Sequence, residues 1–397
     1  MNLHHLFSPE PPPEESISSA ASVIRNGRMF RYDYGDVSNS PVAQFEQNFA
    51  NALGCKYALA VNSCGSAIQL ALLSAGAQPG DLILVPGFTF TAVTSAIINC
   101  GCSPVLVDIE DDYCIDVLDL QKKYRPNIRF LLMSYMRGRV ARLDAILDFC
   151  NFHNITVIED CAHSLGTYWC GRPTGVFGVA SCFSFHDKLL FSGEGGILAT
   201  DNDQILMQAA VMSGTYEDLW KRHLSHPKLD NPYQGKVAQF SMRMSAVTAA
   251  ILQPQIPLIN SFAEEYRSRY RLLTSLLSKS DYIRIPRIDE NAEFVSNTVQ
   301  FELVNMENSM IEEALTSIRN TGVPLARFGL HDRNDRCVWN WRYLENGIEH
   351  SVPSCLNVLP NTCDLRIRRT MSTDDISTIA EVITHFVDNA VKRGIVE

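Results

Sequence analysis

The chain has 397 residues, 46% of them hydrophobic, which allows two domains or one large domain with an appendage. A formal net charge of -10, with no block of lysine or arginine, argues against a nucleic-acid-binding protein. No run approaches the roughly 18 continuous apolar residues of a membrane span, and the polar N-terminus lacks the apolar core of a signal peptide, so we expect a cytoplasmic protein.

The first elements of the chain alternate between strand-like and helical patterns. Residues 1–20 contain the cluster PEPPPEES, whose prolines predict a flexible N-terminal segment. The predicted strands that follow lie at 57–61, 82–86, 104–109, 128–135, 156–160, 181–185 and 195–200. Helical patterns lie between several of them, at 65–76, 90–100, 141–153 and 203–213. This alternation predicts a mostly parallel sheet covered on both faces, in a large domain at 21–250.

The C-terminal part has a different texture. From about residue 245 a long helical pattern, interrupted at Pro254 and Pro257, predicts an arm that joins two domains. The elements predicted after it are a strand at 298–304 and helices at 308–321 and 373–393. They predict a small α+β domain at 251–397.

The twelve cysteines lie singly within apolar runs, as Cys161, Cys170 and Cys182 do. No CxxC pair suggests a zinc site, and we expect no metal. We therefore interpret the cysteines as buried free thiols.

The residues that follow the strands are candidates for a site, because ligands of parallel α/β sheets bind at the carboxyl ends of the strands. Gly65 and Ser66 open a helix, where backbone NH groups and the helix dipole favour a phosphate. A serine-capped helix without a ligand is the commoner case. Phe90 offers a ring that could stack on a flat heterocycle, although taken alone a core position is more usual.

An acid and a lysine complete this set. Asp160 ends an apolar strand, and because an unpaired buried carboxylate is costly, it needs a partner such as a protonated pyridine nitrogen. A helix cap or a salt bridge is the simpler alternative for it. Lys188 follows another strand, where desolvation would lower its pKa and prepare it for Schiff-base formation, although solvated lysines are far commoner. The joint order of these residues, followed by a glycine-rich return at 193–196, favours a cofactor site.

The chain resembles the DegT and StrS family of sugar aminotransferases over residues 20–395. The blocks that carry this resemblance include NSCGSAIQLAL, VPGFTFTAVTSAI, VIEDCAHSLGTYWCGRPTGVFG, CFSFHDK, FSGEGGILATD and SMRMSAVTAAILQPQI. The resemblance implies the fold of aspartate aminotransferase, fold type I of the pyridoxal-phosphate enzymes, with a seven-stranded large domain and a small α+β domain. It also implies amino transfer from glutamate or glutamine to a keto-sugar or related small carbonyl compound, and a homodimer with shared active sites.

The same resemblance implies roles for individual residues around pyridoxal 5'-phosphate. Gly65 and Ser66 would hold the phosphate, and Phe90 would stack on the ring. Asp160 would pair with the pyridine nitrogen, and His163 would pack beside the ring.

Lys188 would bind the cofactor as a Schiff base and move the proton on which transamination depends. Ser184 would add a phosphate contact, and Ser241 would reach the site of the partner subunit.

Two departures from the family pattern stand out. The stretch between Ser184 and Lys188 is one residue shorter than usual, and Ser241 stands where the family usually has asparagine, two residues before Arg243.

The substrate side has weaker signals. A donor carboxylate favours an arginine, since a guanidinium matches it with two hydrogen bonds. Arg137, Arg243 and Arg327 are candidates, each with an ordinary ion pair as the alternative, which we favour for Arg327. Tyr216 could line an acceptor pocket, although a buried aromatic residue is the simpler interpretation.

Two other functions remain open at the level of sequence. The shortened loop before Lys188 motivates a second hypothesis, in which the same cofactor serves dehydration, elimination or cyclisation. A third is a catalytically silent relative that senses a ligand, which retention of Asp160 and Lys188 argues against.

Overall fold

The computed structural model describes residues 2–217, 219–222, 232–328, 337–344 and 351–394. Its strands in chain order are β1 (Tyr57–Val61), β2 (Leu82–Pro86), β3 (Ser103–Val107), β4 (Phe130–Ser134), β5 (Thr156–Asp160), β6 (Tyr168–Trp169), β7 (Arg172–Pro173), β8 (Ala180–Ser184), β9 (Gly196–Thr200), β10 (Ile283–Arg284), β11 (Ala292–Glu293), β12 (Thr298–Leu303), β13 (Ala326–Arg327) and β14 (Thr362–Arg366). Its α-helices are α1 (Glu14–Asn26), α2 (Pro41–Leu53), α3 (Cys64–Ser74), α4 (Thr91–Asn99), α5 (Val117–Lys123), α6 (Leu143–Phe152), α7 (Asp203–Met212), α8 (Ala246–Leu252), α9 (Ile259–Leu277), α10 (Asn308–Asn320), α11 (Pro353–Val358) and α12 (Thr373–Gly394).

A seven-stranded sheet organises the first half of the chain. Its strand order is β1-β9-β8-β5-β4-β2-β3. Strand β9 is antiparallel to both of its neighbours, and the remaining pairs are parallel. The predicted α/β architecture with a mostly parallel seven-stranded sheet is thus confirmed.

The strands of this sheet are buried on both faces, because helices cover each side. Successive side chains of a strand point to opposite faces, so Ala60 packs in one apolar cluster while Leu59 and Val61 pack in the other. Helix α3 contacts both β8 and β9. Its first residue, Cys64, lies at the carboxyl end of β5, where its Sγ is 3.7 Å from Asp160 Oδ1.

A smaller antiparallel sheet follows the arm. Its order is β10-β12-β14-β13, and α10 and α12 pack against each other beside it. The arm itself is broken where the prolines predicted, since a 3-10 turn at Gln253–Leu258 separates α8 from α9. The division of the chain into domains at residues 250 and 251 stays a prediction.

The N-terminal segment differs from the flexible stretch that its prolines suggested. Helix α1 begins at Glu14 directly after Pro13, and residues 4–7 form a 3-10 turn. The Leu3 side chain is buried, and its backbone NH donates to Thr321 O at 2.7 Å. Because proline is tolerated before the first helical turn, the cluster starts a helix where we expected it to prevent one.

Eleven of the twelve free thiols are buried or half-buried, and Cys170 is exposed. The expectation of a buried thiol is therefore wrong for Cys170, which lies in the turn between β6 and β7 with a φ of 48°. Its side chain is exposed because it projects from a hairpin turn at the surface, although its backbone NH donates to Asn291 O at 2.9 Å. No helix within the described residues is long and apolar enough to cross a bilayer.

Candidate active site

A cavity of about 800 Å³ opens at the carboxyl ends of the central strands. Eight of the predicted site residues line its wall, namely Gly65, Phe90, Arg137, Asp160, His163, Ser184, Lys188 and Arg327. They follow different strands, yet they meet because parallel strands end on the same edge of a sheet. The structure therefore collects most of the candidates around one space, large enough for a cofactor and a small substrate.

The N-terminus of α3 forms one side of the cavity. Ser63 is the N-cap, and its Oγ accepts a hydrogen bond from the backbone NH of Ser66 at 3.1 Å. The hydroxyls of Ser63 and Ser66 lie 3.0 Å apart. A Cβ added to Gly65 would meet only Ser63 Oγ, at 3.8 Å, so no protein atom requires glycine here and the space in front of it is open to a ligand. Ser66 lies one residue beyond the wall, and Gly65 lies on it.

Asp160 ends β5 and is 3% exposed. Its carboxylate accepts hydrogen bonds from Ser134 Oγ at 2.6 Å and from the backbone NH of Ala162 at 3.0 Å. Burial raises the pKa of Asp160, while these two hydrogen bonds act in the opposite direction. A protonated ring nitrogen inside the cavity would supply the cationic partner that favours the charged form of this carboxylate.

Lys188 follows β8 and is half-buried, with its side chain facing the cavity. Burial lowers the pKa of Lys188 to about 7, with further lowering from the positive charges of Arg137 and Arg366, whereas Asp160 acts to raise it. A substantial part of the amine is therefore neutral near pH 7. The neutral amine is the form that attacks an aldehyde carbon.

Aromatic and hydroxyl groups complete the wall. Phe90 is the N-cap residue of α4 and is 44% exposed, so its ring lies at the cavity and not in the core. His163 and Ser184 also line the cavity, and both are half-buried. Ser184 Oγ accepts from the backbone NH of His186 at 3.4 Å. The altered spacing before Lys188 thus leaves Ser184 on the wall.

This donor set fits pyridoxal phosphate. The cavity offers an amine of lowered pKa, a buried carboxylate, a ring on the surface and the N-terminus of a helix. Lys188 would bind the cofactor, Asp160 would meet its ring nitrogen, and backbone NH groups of α3 would meet its phosphate. Within the described residues no group of three or more histidine, cysteine or acidic side chains is arranged to hold a metal ion.

The arginine candidates have different surroundings. Arg137 is buried, lines the cavity and pairs with Asp364 of β14 at 2.5 Å. Arg327 also reaches the wall, but its guanidinium donates to Pro360 O, Asn361 Oδ1 and Glu312 Oε1 at 2.6–2.7 Å. The guanidinium of Arg327 is thus committed to the protein, as the ion-pair interpretation expected.

Tyr216, Ser241 and Arg243 lie together, away from the cavity wall. The Arg243 guanidinium donates to Ser241 Oγ at 3.0 Å and to Gly214 O at 2.8 Å, and it lies 5.0 Å from the centre of the Tyr216 ring. Tyr216 is exposed, which differs from the buried aromatic side chain that we considered the simpler interpretation. These three residues do not contribute to the cavity within one chain.

Arg366 is a wall residue that the sequence analysis missed. It ends β14 and belongs to the run LRIRR, in which Arg366 and Arg368 point to the same side of the chain. That alternation was a usable signal, but nothing in the sequence indicated that β14 approaches Lys188. The other missed residues of the wall that carry polar groups are Ser63, Cys64, His186, Glu194 and Arg319.

Comparison with known proteins agrees with this geometry. The model of the DegT/DnrJ/EryC1/StrS aminotransferase family matches residues 16–384. The chain is 28% identical over 377 residues to the spore coat polysaccharide biosynthesis protein SpsC of Bacillus subtilis. This match covers 90% of this chain and 92% of that protein. It is 29% identical over 251 residues to the L-glutamine:scyllo-inosose aminotransferase of Streptomyces griseus, covering 63% of this chain and 59% of that protein.

The fold has close counterparts among solved structures. The X-ray structure of the aminotransferase from Psychrobacter cryohalolentis is 20% identical and has a TM-score of 0.85, over 96% of this chain and 99% of that chain. At this identity the likeness establishes the fold, which is that of the type I pyridoxal-phosphate aminotransferases. The family match establishes more, because it spans most of the chain, including every wall residue named above. The chain therefore belongs to the DegT/DnrJ/EryC1/StrS aminotransferase family and is a pyridoxal-phosphate-dependent transaminase of biosynthesis.

Proposed function

We propose that the enzyme takes an amino group from glutamate or glutamine and gives it to the keto group of a sugar or related small carbonyl compound. The observation that carries this proposal is the single cavity in which Lys188, Asp160 and Phe90 face the same space. The names of the two relatives described above support it, since one refers to a polysaccharide and the other to glutamine and an inosose.

Each residue of the proposed site has a role that follows from its chemistry. Pyridoxal phosphate supplies an aldehyde carbon and a ring that accepts electrons. Lys188 would hold this cofactor and, as the amine of lowered pKa in the cavity, would move the proton on which transamination depends. Asp160 would favour the protonated ring nitrogen, and Phe90 together with His163 would fix the plane of the ring. Gly65, Ser66 and Ser184 would hold the phosphate.

The cationic wall gives a reason for an amino-acid donor. Arg137 and Arg366 line the cavity and their positive charges act on Lys188, although Arg137 is paired with Asp364 and Arg366 with Asp187. Two guanidinium groups therefore border the space where a donor would bind. A carboxylate placed there would be held close to the amine that must move its proton.

Amino transfer can be tested with the purified enzyme loaded with pyridoxal phosphate. We expect glutamate or glutamine to convert the visible absorbance of the bound cofactor to that of its amino form, with release of the matching 2-oxo acid. A panel of keto-sugars should restore the first spectrum and yield an amino sugar. If no amino donor changes the spectrum, or if a deoxygenated product forms without a 2-oxo acid, the alternative of dehydration or elimination replaces this proposal.

We also propose a homodimer whose sites take residues from both subunits. Phe30, Tyr216 and Ser241 are exposed around Arg243, whose guanidinium lies 5.7 Å from the centre of the Phe30 ring. None of these side chains lines the cavity of its own chain. Exposed aromatic side chains next to polar groups are typical of a surface that contacts a second subunit.

Complementation tests the shared sites. The variants Lys188→Ala and Arg243→Ala should each be inactive, and a mixture refolded together should regain part of the activity, because one site of a mixed dimer has both residues intact. A mixture that stays inactive while sedimenting as a dimer would contradict shared sites. A monomer in sedimentation would contradict the dimer itself.

A cytoplasmic location is part of the proposal. It is supported by twelve thiols that form no disulfide. Detection of the enzyme in a secreted or membrane fraction of its host cells would contradict it.

A further inference from the structure

The connection from β8 to Lys188 is short and fixed at several points. Phe185 donates its backbone NH to Gly195 O at 3.0 Å, and His186 Nδ1 lies 2.6 Å from Gly193 O. Asp187, the residue before the lysine, has a φ of 45°, in the left-handed region. This conformation costs energy for a residue with a Cβ, although aspartate tolerates it better than most.

Asp187 is surrounded by donors from a different part of the chain. Its Oδ1 accepts from Arg368 Nη1 at 2.9 Å, and its Oδ2 pairs with Arg366 Nη1. Its backbone carbonyl accepts from Asn297 Nδ2 at 2.9 Å and from Arg366 Nη1 at 3.2 Å. Every acceptor group of this residue is therefore engaged, and none of these donors lies in the seven-stranded sheet.

The donors themselves are held firmly. Arg366 ends β14, which is paired on both sides in the four-stranded sheet, and Arg368 follows on the same face with its side chain 10% exposed. Asn297 precedes β12, and its carbonyl accepts from Ile367 NH at 2.9 Å. An ion pair with one side so little exposed is screened less by water than a surface pair.

We propose that Asp187 is a positioning residue, and that its contacts with Arg366, Arg368 and Asn297 fix the direction from which Lys188 enters the cavity. The proposal rests on the function proposed above in that Lys188 is the amine that holds the cofactor. A connection with few residues has few backbone conformations that direct the Lys188 side chain into the cavity. The contacts from the four-stranded sheet and the residues beside it select one of these conformations and offset the energetic cost of the positive φ of Asp187.

The charges around Lys188 make the proposal testable through its titration. The ionisable groups that share its cavity are Cys64, Arg137, Asp160, His163, His186, Glu194, Arg319, Arg327 and Arg366. Burial is the largest cause of the lowered pKa of Lys188. If Asp187 is lost and the loop loosens, the ammonium regains water and its pKa rises. If only a negative charge is lost, the pKa falls, because the neighbouring arginines are less well neutralised.

The test uses Asp187→Asn and Asp187→Gly, since asparagine and glycine both accept a positive φ and so remove the carboxylate without new backbone strain. Asn297→Ala removes a contact to the backbone carbonyl without changing any charge. Glu313→Gln is the matched control, because it breaks an exposed ion pair with Arg393 and neither residue lines the cavity. The rate at which acetic anhydride modifies Lys188 in the cofactor-free protein is measured against pH by mass spectrometry of the Lys188 peptide.

We expect the midpoint of this titration to rise by about one pH unit, a tenfold change in the protonation equilibrium, in the Asp187 variants and in Asn297→Ala. Glu313→Gln should match the wild type. A midpoint that stays constant or falls in both Asp187→Asn and Asn297→Ala would overturn the proposal. This measurement needs no cofactor, so it stays informative if pyridoxal phosphate proves to bind elsewhere, which would instead remove the proposed function.

Discussion

Replacing Lys188 with alanine should reduce amino transfer by a factor on the order of 10⁴. The loss follows from the position of this amine, which faces the same cavity as Asp160. Burial lowers its pKa to about 7. Lys188 is the only lysine among the described residues of the cavity wall, so in its absence none of them offers an amine that could hold the cofactor or move the proton. The rate is measured in single turnover with glutamate or glutamine, because this isolates the chemistry from product release.

The control for this change is Lys122→Ala, which removes an exposed lysine from α5. It should keep the wild-type rate. Borohydride reduction followed by peptide mass analysis should find the cofactor on Lys188 in the wild type and in the control, and no covalent cofactor in Lys188→Ala. Wild-type turnover by Lys188→Ala, or attachment at another lysine, would refute the assignment of the site.

Asp160→Asn should reduce kcat/KM by about 100-fold or more, since in our proposal it removes the preorganised charge that would meet the ring nitrogen. The neutral amide keeps the size of the side chain, so it separates charge from packing. The carboxylate is 3% exposed, and water cannot replace it. The measurement is kcat/KM for the amino donor together with the dissociation constant of pyridoxal phosphate. Asp148→Asn, an exposed change on α6, serves as the control.

The same variant should affect the stability of the cofactor-free protein in the opposite direction. Burial raises the folded-state pKa of Asp160 above its ordinary value of 3.8, so the folded protein loses stability as the pH rises from 3.8 toward that raised pKa. Asparagine does not titrate and avoids this loss. At pH 7 the unfolding temperature of the cofactor-free variant should therefore equal or exceed that of the wild type. A clearly lower unfolding temperature would mean that the Asp160 charge stabilises the fold.

Function and stability are thus opposed at this position. A buried charge is costly unless a cation is paired with it, and in our proposal the ring nitrogen of the cofactor would supply that cation. We expect bound pyridoxal phosphate to raise the unfolding temperature of the wild type more than that of Asp160→Asn, because only the wild type gains the pairing.

Most of the large sheet was predictable from the sequence, because its strands are short apolar runs with helical patterns between several of them. The predicted strands at 57–61, 82–86 and 156–160 match β1, β2 and β5 to the residue. The site followed from the same pattern, since residues after parallel strands share one edge. Asp160 and Lys188 were found in this way.

The N-terminal segment shows where local signals fail. Prolines at 11–13 suggested a flexible stretch, yet α1 starts immediately afterwards and the chain is anchored at Leu3. Glu10 accepts from the backbone NH of Arg369 at 2.7 Å. Such contacts join residues more than 300 positions apart, and no local pattern reports them.

The alternating strands and helices, the order of the proposed cofactor residues and the short approach to Lys188 were all readable from the amino-acid sequence alone. Those features are local, because hydrophobic periodicity and the residues after each strand are set within a few positions. Three features became visible only in the folded chain: the contacts that commit Arg327 to the protein, the position of Arg366 on the cavity wall, and the ion pairs of Asp187 with Arg366 and Arg368. Each of these depends on where β13 and β14 pack relative to the large sheet, and that packing is decided by the burial of whole faces and not by any one segment.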